Sequence, residues 1–372
     1  MNLSSLLASI ALLFYTLIVF AFYTKVKSKK GMIITSLLLG IAMAIIAYNY
    51  IPNSTYDLVR HHQLATRFTN VESFDGFIKT LASNYEFIPQ LFMLLVAKIG
   101  DLNLLQTIFV LVGYSSLFYI LIDYKNRANL TPGKFICVFL LITFGQHINY
   151  YYSGLFNYAA INLFALAVYL DYVKGHKVLP LIIYAISPFI HKSMFLPLLI
   201  VCIFKLKRGK TSKRFWCLYI IFLLLFTVLA DFIVGLLNIS YLTQAKNALN
   251  SYIANSGTEQ MLGWYGGVYL LMSVLKVFIV AWACFIERKN ANNTTVRNIT
   301  NLTNLSVVVL SLSAIALTRF TSLTLFISTP IIIDAMKKDT PSSKWFHIAV
   351  LIVGVLFLAI SIGVMIPRFN FT

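Results

Sequence analysis

The chain has 372 residues, 59% of them apolar and 11% charged, against about 25% charged in soluble globular proteins. That excludes a soluble globular domain, a disordered chain and a disulfide scaffold. Thirty Lys and Arg oppose twelve Asp and Glu, a net charge of +18. These charges punctuate long apolar runs, so they indicate membrane orientation and not nucleic acid.

A helix needs about 20 apolar residues to cross the hydrocarbon core. In chain order, spans are predicted at Leu3–Tyr23, Met32–Ile51, Leu104–Ile122, Phe135–Tyr150, Leu155–Val173, Phe215–Leu237, Tyr265–Phe285, Leu302–Leu317, Phe320–Met336 and Phe346–Ile366. The first run lacks a basic leading segment and is followed by Lys25, Lys27, Lys29 and Lys30. It reads as a retained anchor with its N-terminus outside. From that start, twenty-one of the thirty cations fall on cytoplasmic segments, provided two apolar stretches are not full spans. Phe87–Ile99 is too short and is expected to re-enter from outside. Leu179–Phe204, interrupted by Pro188 and Pro197, must start and end inside, and is expected to form a broken-helix hairpin (residues 179–204). Non-helical backbone at that depth is tolerated only in protein packing or beside a wet cavity. The turn holds His191, Lys192 and Ser193.

The nine remaining cations are Arg60, Arg67, Lys79, Lys98, Lys192, Lys246, Lys276, Arg319 and Arg368. The external segment Pro52–Glu86 (residues 52–86) carries a helix-period stripe of Leu64, Phe68, Val71, Ile78 and Leu81, as an amphipathic surface helix would. Arg60 and Arg67, seven apart, share a face, and Asp57 and His61, four apart, share a neighbouring one. Two guanidiniums on one face suit a diphosphate, since Arg binds phosphate oxygens in a bidentate fork; lipid headgroups are the alternative. A second external segment, Asn238–Gly263 (residues 238–263), reads as a cap over a cavity. Between spans lies Gln146-His147-Ile148-Asn149-Tyr150-Tyr151-Tyr152 at the outer mouth. His147, Tyr151 and Tyr152 can stack on and hydrogen-bond sugars, or form an aromatic belt.

Ionisable residues at membrane depth cost at least about 2.5–3.5 kcal/mol on insertion scales, which marks them as functional candidates. His191, Lys192, Arg319 and the mid-span Lys276 are of this kind. Arg319 can also snorkel, and Lys276 can line a cavity or pair with a distant carboxylate. Glu86 precedes the short apolar helix, where a carboxylate also suits a helix N-terminus. No Gly-rich phosphate loop, His-Glu-x-x-His, Cys-x-x-Cys or Gly-x-Ser-x-Gly is present. The expected fold is all-α: a polytopic integral membrane protein of about ten full spans, a broken-helix hairpin and a short re-entrant helix.

The order of an external Asp57, Glu86 before a short helix, His191 at a broken-helix turn and a late Arg319 resembles the EpsG-like, Wzy-type polysaccharide polymerases. The matching stretches are Ser54-Thr55-Tyr56-Asp57, Glu86-Phe87-Ile88-Pro89-Gln90-Leu91-Phe92, Ser187-Pro188-Phe189-Ile190-His191-Lys192-Ser193 and Thr318-Arg319-Phe320. Such proteins often carry Arg-Gln where this chain has Phe156-Asn157, so a phosphate contact has to come from elsewhere, with Arg60 or Arg67 as the candidates. The resemblance implies a GT-C-like fold and inverting glycosyl transfer on the outer face of a bacterial inner membrane. Donor and acceptor would be polyprenyl-diphosphate-linked oligosaccharides, with membrane lipid and a chain-length regulator as further partners. It implies no cofactor and no metal. Asp57, His191 or Glu86 would act on the acceptor hydroxyl, and Arg60, Arg67, Lys192 and Arg319 would hold the diphosphate. The competing readings are a lipid-linked oligosaccharide flippase or transporter, a glycan ligase and an O-acyltransferase.

Overall fold

The structure is a computed structural model. It describes residues 26–50, 52, 57–71, 76, 87–146, 151–152, 154–206, 221, 264–288, 296–298, 300–301, 303–304 and 314–365. All the elements among these are helical: α1 (Lys29–Tyr48), α2 (Asp57–Arg67), α3 (Phe87–Ile99), α4 (Asn103–Ala128), α5 (Pro132–Gly145), α6 (Leu155–Val168), α7 (Val178–Ile190), α8 (Phe195–Leu206), α9 (Trp264–Ile286), α10 (Ala314–Ile327), α11 (Thr329–Lys337) and α12 (Pro341–Met365). Among the described residues, five helical stretches are long and apolar enough to cross a membrane: Lys29–Tyr48, Asn103–Ala128, Leu155–Val173, Gly267–Ile286 and Pro341–Gly363. A sixth results if the bent pair Leu317–Ile327 and Thr329–Lys337 counts as one span. The chain is therefore a polytopic helical membrane protein. The expected span Phe135–Tyr150 appears as the shorter α5, of 14 residues. Those at Leu3–Tyr23 and Phe215–Leu237 lie outside the described residues, as does most of Leu302–Leu317.

The chain divides into two compact units, Met1–Met194 with Ile332–Thr372, and Phe195–Ile331. In the first, α1 packs along α4, α4 on α6, α6 on α7, and α5 on α12. Helix α1 starts at Ser28, whose hydroxyl accepts from the Gly31 amide at 3.1 Å, satisfying one orphan donor of the first turn. It is apolar all round: Leu39, Met43, Ile46 and Ala47 are buried while Ile34, Leu37, Ile41 and Ile45 are exposed. A helix between a protein core and lipid needs that pattern. Gly40 permits the close approach of α1 to α4, because a Cβ there would collide with the Ser115 hydroxyl.

Near the end of α4 lies a buried charge network. Asp123, 3% exposed, receives Lys174 Nζ at 2.8 Å and Arg127 Nε at 2.9 Å, and the Tyr169 hydroxyl donates to it as well. Tyr169 opens a π-helical turn, Tyr169–Val173, at the end of α6. Arg127 and Lys174 are among the basic residues that read as orientation signals in the sequence; the structure gives them a carboxylate as well.

In the second unit α9 packs on α10. Lys276 is 4% exposed, and its ammonium donates to Ser322 Oγ at 3.1 Å. Ser322 donates in turn to the Thr318 carbonyl at 2.9 Å. The partner of this mid-span lysine among the described residues is thus a hydroxyl.

Candidate functional site

Helix α2 is short and amphipathic. Leu58, His61 and Ala65 face inward and Arg60, Gln63, Thr66 and Arg67 face outward. The outward face holds the two arginines together, as their spacing predicts. Arg60 Nη2 also lies 3.2 Å from Asp57 Oδ1, an ion pair between two exposed side chains one turn apart.

The inward face fixes α2 to the rest of the first unit. The His61 ring packs on Phe156 at the start of α6, with centroids 4.5 Å apart. Phe156 meets Phe109 of α4 edge-on at 4.8 Å, and Phe109 meets Phe92 of α3 at 5.2 Å. One aromatic ladder therefore joins four helices. Burial pushes the His61 imidazole down to about 4; the nearby Arg60 and His62 act in the same direction and Asp57 opposes them. His62 is also lowered, mainly by burial, and its Nε2 lies 2.8 Å from Gln106 Oε1. Gln106 gives its own amide protons to the carbonyls of Ala47 and Tyr50, at 3.0 and 3.4 Å. Its oxygen is therefore the atom facing His62, whose Nε2 must carry the proton. The 3₁₀ turn after α2, Phe68–Asn70, is held by Lys98 of α3, which donates to the Thr69 carbonyl at 3.2 Å.

Helix α7 carries Pro188 within it and ends at Ile190. His191 is extended at φ −154°, ψ 126°, and a 3₁₀ turn, Lys192–Met194, precedes α8. The break predicted from the two prolines is therefore real and is centred on His191. The backbone anchors it: the His191 amide donates to the Ser187 carbonyl at 3.0 Å and the Met194 amide to the His191 carbonyl at 3.1 Å. Side chains anchor the ring. Ser193 Oγ lies 2.8 Å from His191 Nδ1 and donates to Asn157 Oδ1 at 2.6 Å. Asn157, the neighbour of Phe156 on α6, is 1% exposed, and its Nδ2 has no partner among the described residues.

The first unit thus brings Asp57, Arg60 and Arg67 onto one helix and ties both that helix and the His191 turn to adjacent residues of α6. Lys192 is half-buried beside His191. Arg319 belongs to the second unit, on α10 two turns before Phe326 and one before Ser322. Glu86 and His147 lie outside the described residues.

Tyr151 and Tyr152 are not at an open mouth. Both are 0% exposed. Tyr151 stacks on Tyr158 and packs on Tyr114, and its hydroxyl donates to the Phe109 carbonyl at 3.3 Å. Tyr152 packs on Tyr50. The space for Tyr151 exists because position 113 of α4 is glycine, where a Cβ would collide with the phenol oxygen. These rings build the core and offer no face to a sugar.

The contacts of Phe156, Asn157, Ser193 and Gln106 emerge only from the structure. The one available signal was polarity out of place: an amide inside each of two apolar runs, and a hydroxyl two residues beyond a histidine at a helix break. Among the described residues no group of three or more His, Cys, Asp or Glu is placed to hold a metal ion.

A family model described as the EpsG family matches residues 65–371. That is most of the chain, which therefore belongs to the EpsG family and is a membrane protein of the polysaccharide-polymerase kind. No curated protein and no solved structure matches it.

Proposed function

We propose that this EpsG-family chain joins polyprenyl-diphosphate-linked oligosaccharide repeat units into a polysaccharide. The reaction is an inverting glycosyl transfer on the outer face of the bacterial inner membrane, carried out within a GT-C-like fold. The observation that carries the reading is the convergence on α6: Phe156 receives the α2 helix through His61, and Asn157 receives the His191 turn through Ser193. A cationic helix and a histidine engaged through Nδ1 are thereby fixed to adjacent residues.

In the proposed reaction His191 takes the proton from the acceptor hydroxyl. The acceptor oxygen then attacks the anomeric carbon of the donor sugar from the face opposite the diphosphate. The new carbon–oxygen bond forms as the sugar–phosphate bond breaks, and the bonding pair leaves with the polyprenyl diphosphate. Negative charge grows on the departing phosphate oxygens, where guanidinium groups lower the barrier most. Arg60 and Arg67 are assigned to that charge, with Lys192 beside the base. Asp57 holds the Arg60 side chain in place. Arg319 is assigned a phosphate contact as well, on the strength of the family likeness and independently of the first unit's geometry. Glu86 and His147 keep their proposed places at the acceptor and sugar.

The test is the surface glycan of a deletion strain resolved by gel. The proposal requires the ladder to collapse to a single repeat unit on the lipid core. Loss of every repeat would instead mean a flippase, and accumulation of long polymer not attached to the core would mean a ligase.

A further inference from the structure

Helix α9 carries a buried cation whose neighbours answer it only in part. Leu271, Val274 and Phe278 lie on the exposed side of the helix, and Ser273, Lys276 and Val280 on the buried side; α10 is packed on it. A charged lysine has three protons on Nζ and accepts nothing. One goes to Ser322 Oγ at 3.1 Å, and the other two have no hydrogen-bond partner among the described residues. Ser322 gives its own proton to the Thr318 carbonyl at 2.9 Å, so its oxygen holds the ammonium in place and has no proton left for a ligand. Ser273, three residues before Lys276 and on the same face, is 0% exposed and its hydroxyl has no partner. None of the ion pairs among the described residues includes Lys276.

Burying a cation without a counter-charge is unfavourable, and ionisable residues at membrane depth mark the places where substrates or ions are handled. Two ammonium protons and one hydroxyl proton on a single buried face lack an acceptor, and an anionic oxygen supplies what they lack. Arg319 stands three residues before Ser322 on α10, about 4.5 Å along the helix axis. The ammonium therefore meets α10 one turn from the arginine already assigned to phosphate. We propose that Lys276 and Ser273 form an anion site inside the second unit that takes one phosphate group of the polyprenyl diphosphate. The identity of that ligand rests on the polymerase reading, and the site extends the reading to a lysine it leaves without a role. The face is closed in this structure, so α9 and α10 part to admit the ligand.

The experiment follows thermal unfolding of the full-length protein in detergent with added polyprenyl diphosphate, polyprenol or phosphatidylglycerol. A ligand that binds the folded state raises the unfolding temperature according to its occupancy. Polyprenyl diphosphate is expected to raise that of the parent protein, and polyprenol is not. Lys276→Met should need at least about tenfold more polyprenyl diphosphate for the same rise, as expected for loss of a buried charge contact. Ser273→Ala should need about fivefold more, for one neutral donor. Lys276→Arg keeps the charge and should keep most of the response; Lys276→Gln replaces Lys276→Met if the latter does not fold. An equal rise in the parent protein and in Lys276→Met would overturn the site and leave the polymerase reading standing. The same Lys276-dependent rise with phosphatidylglycerol would overturn the assignment to the carrier in favour of a phospholipid headgroup. No response of the parent protein to polyprenyl diphosphate would overturn the site together with the reading it rests on.

Discussion

The imidazole of His61 lies 4.5 Å from the ring of Phe156, centroid to centroid, so the helix that carries two exposed arginines is docked through a histidine. Its folded pKa, pushed down to about 4 by burial, gives the docking a pH dependence with a definite sign. Undocked, His61 titrates near 6.5. Between those values the undocked state binds a proton that the docked state refuses, so docking is at full strength above pH 6.5 and weakens as pH falls toward 4. The span corresponds to about 3 kcal/mol at its limit. Hydrogen exchange of residues 57–67, corrected for intrinsic rates, should show loss of protection between pH 7 and 5, and His61→Phe should reduce the change to the share that the likewise lowered His62 contributes. Equal protection at both values would contradict the assignment.

Arg60 and Asp57 form an exposed pair, and such pairs contribute about 0.2–1 kcal/mol. Arg60→Gln should therefore leave thermal unfolding in detergent nearly unchanged. If Arg60 binds the departing diphosphate, the same variant should lose at least about tenfold in kcat/KM for chain extension, and Arg67→Gln should behave alike. Normal extension by both variants would remove α2 from the phosphate site.

Asp123 is a different case. It is buried and receives Lys174, Arg127 and Tyr169. Asp123→Ala leaves those cations without their counter-charge, a loss of about 3–5 kcal/mol for broken buried pairs. The expected result is a sharply lower unfolding temperature, whatever the activity of the surviving protein. Wild-type stability in Asp123→Ala would show that the network is not what holds α4 to the π-helical turn.

Lys276 is buried with a hydroxyl partner, Ser322. A charge at that depth costs at least about 2.5–3.5 kcal/mol on insertion scales, and methionine has nearly the same length without the charge. Lys276→Met should be as stable as the parent protein or more so. A fall in unfolding temperature would mean that Lys276 is engaged by more than the serine.

Period and punctuation made part of the fold legible in the sequence. Several long apolar runs became helices long enough to span, two prolines bracket the break at His191, and the seven-residue spacing of Arg60 and Arg67 put both on the exposed face of α2, whereas the expected apolar stripe contributes only Leu64 to that helix. These features are local, because a helix's apolar faces and its breakers are written in adjacent residues. Contacts between helices were not legible. Nothing in the sequence says that Asn157 meets Ser193, or that His61 and not Asp57 is the inward residue of its helix, since both depend on which helix lies opposite. Tyr150-Tyr151-Tyr152 shows the limit most clearly. Three tyrosines beside amides read as an interfacial group, but the glycine that admits Tyr151 to the core lies 38 positions earlier, at Gly113. Basic residues were ambiguous for the same reason: Lys174 marks orientation by count, yet its carboxylate partner Asp123 lies on another helix, whereas Arg127 meets the same carboxylate four residues away on its own.

A reconstituted extension assay bears most directly on the polymerase reading. Purified protein in proteoliposomes is supplied with a labelled polyprenyl-diphosphate-linked repeat unit, and the products are resolved by gel. The predicted result is a ladder rising one repeat at a time, with one polyprenyl diphosphate released per step, and no ladder from His191→Gln. Label that crosses the bilayer without any product longer than the starting unit would contradict it.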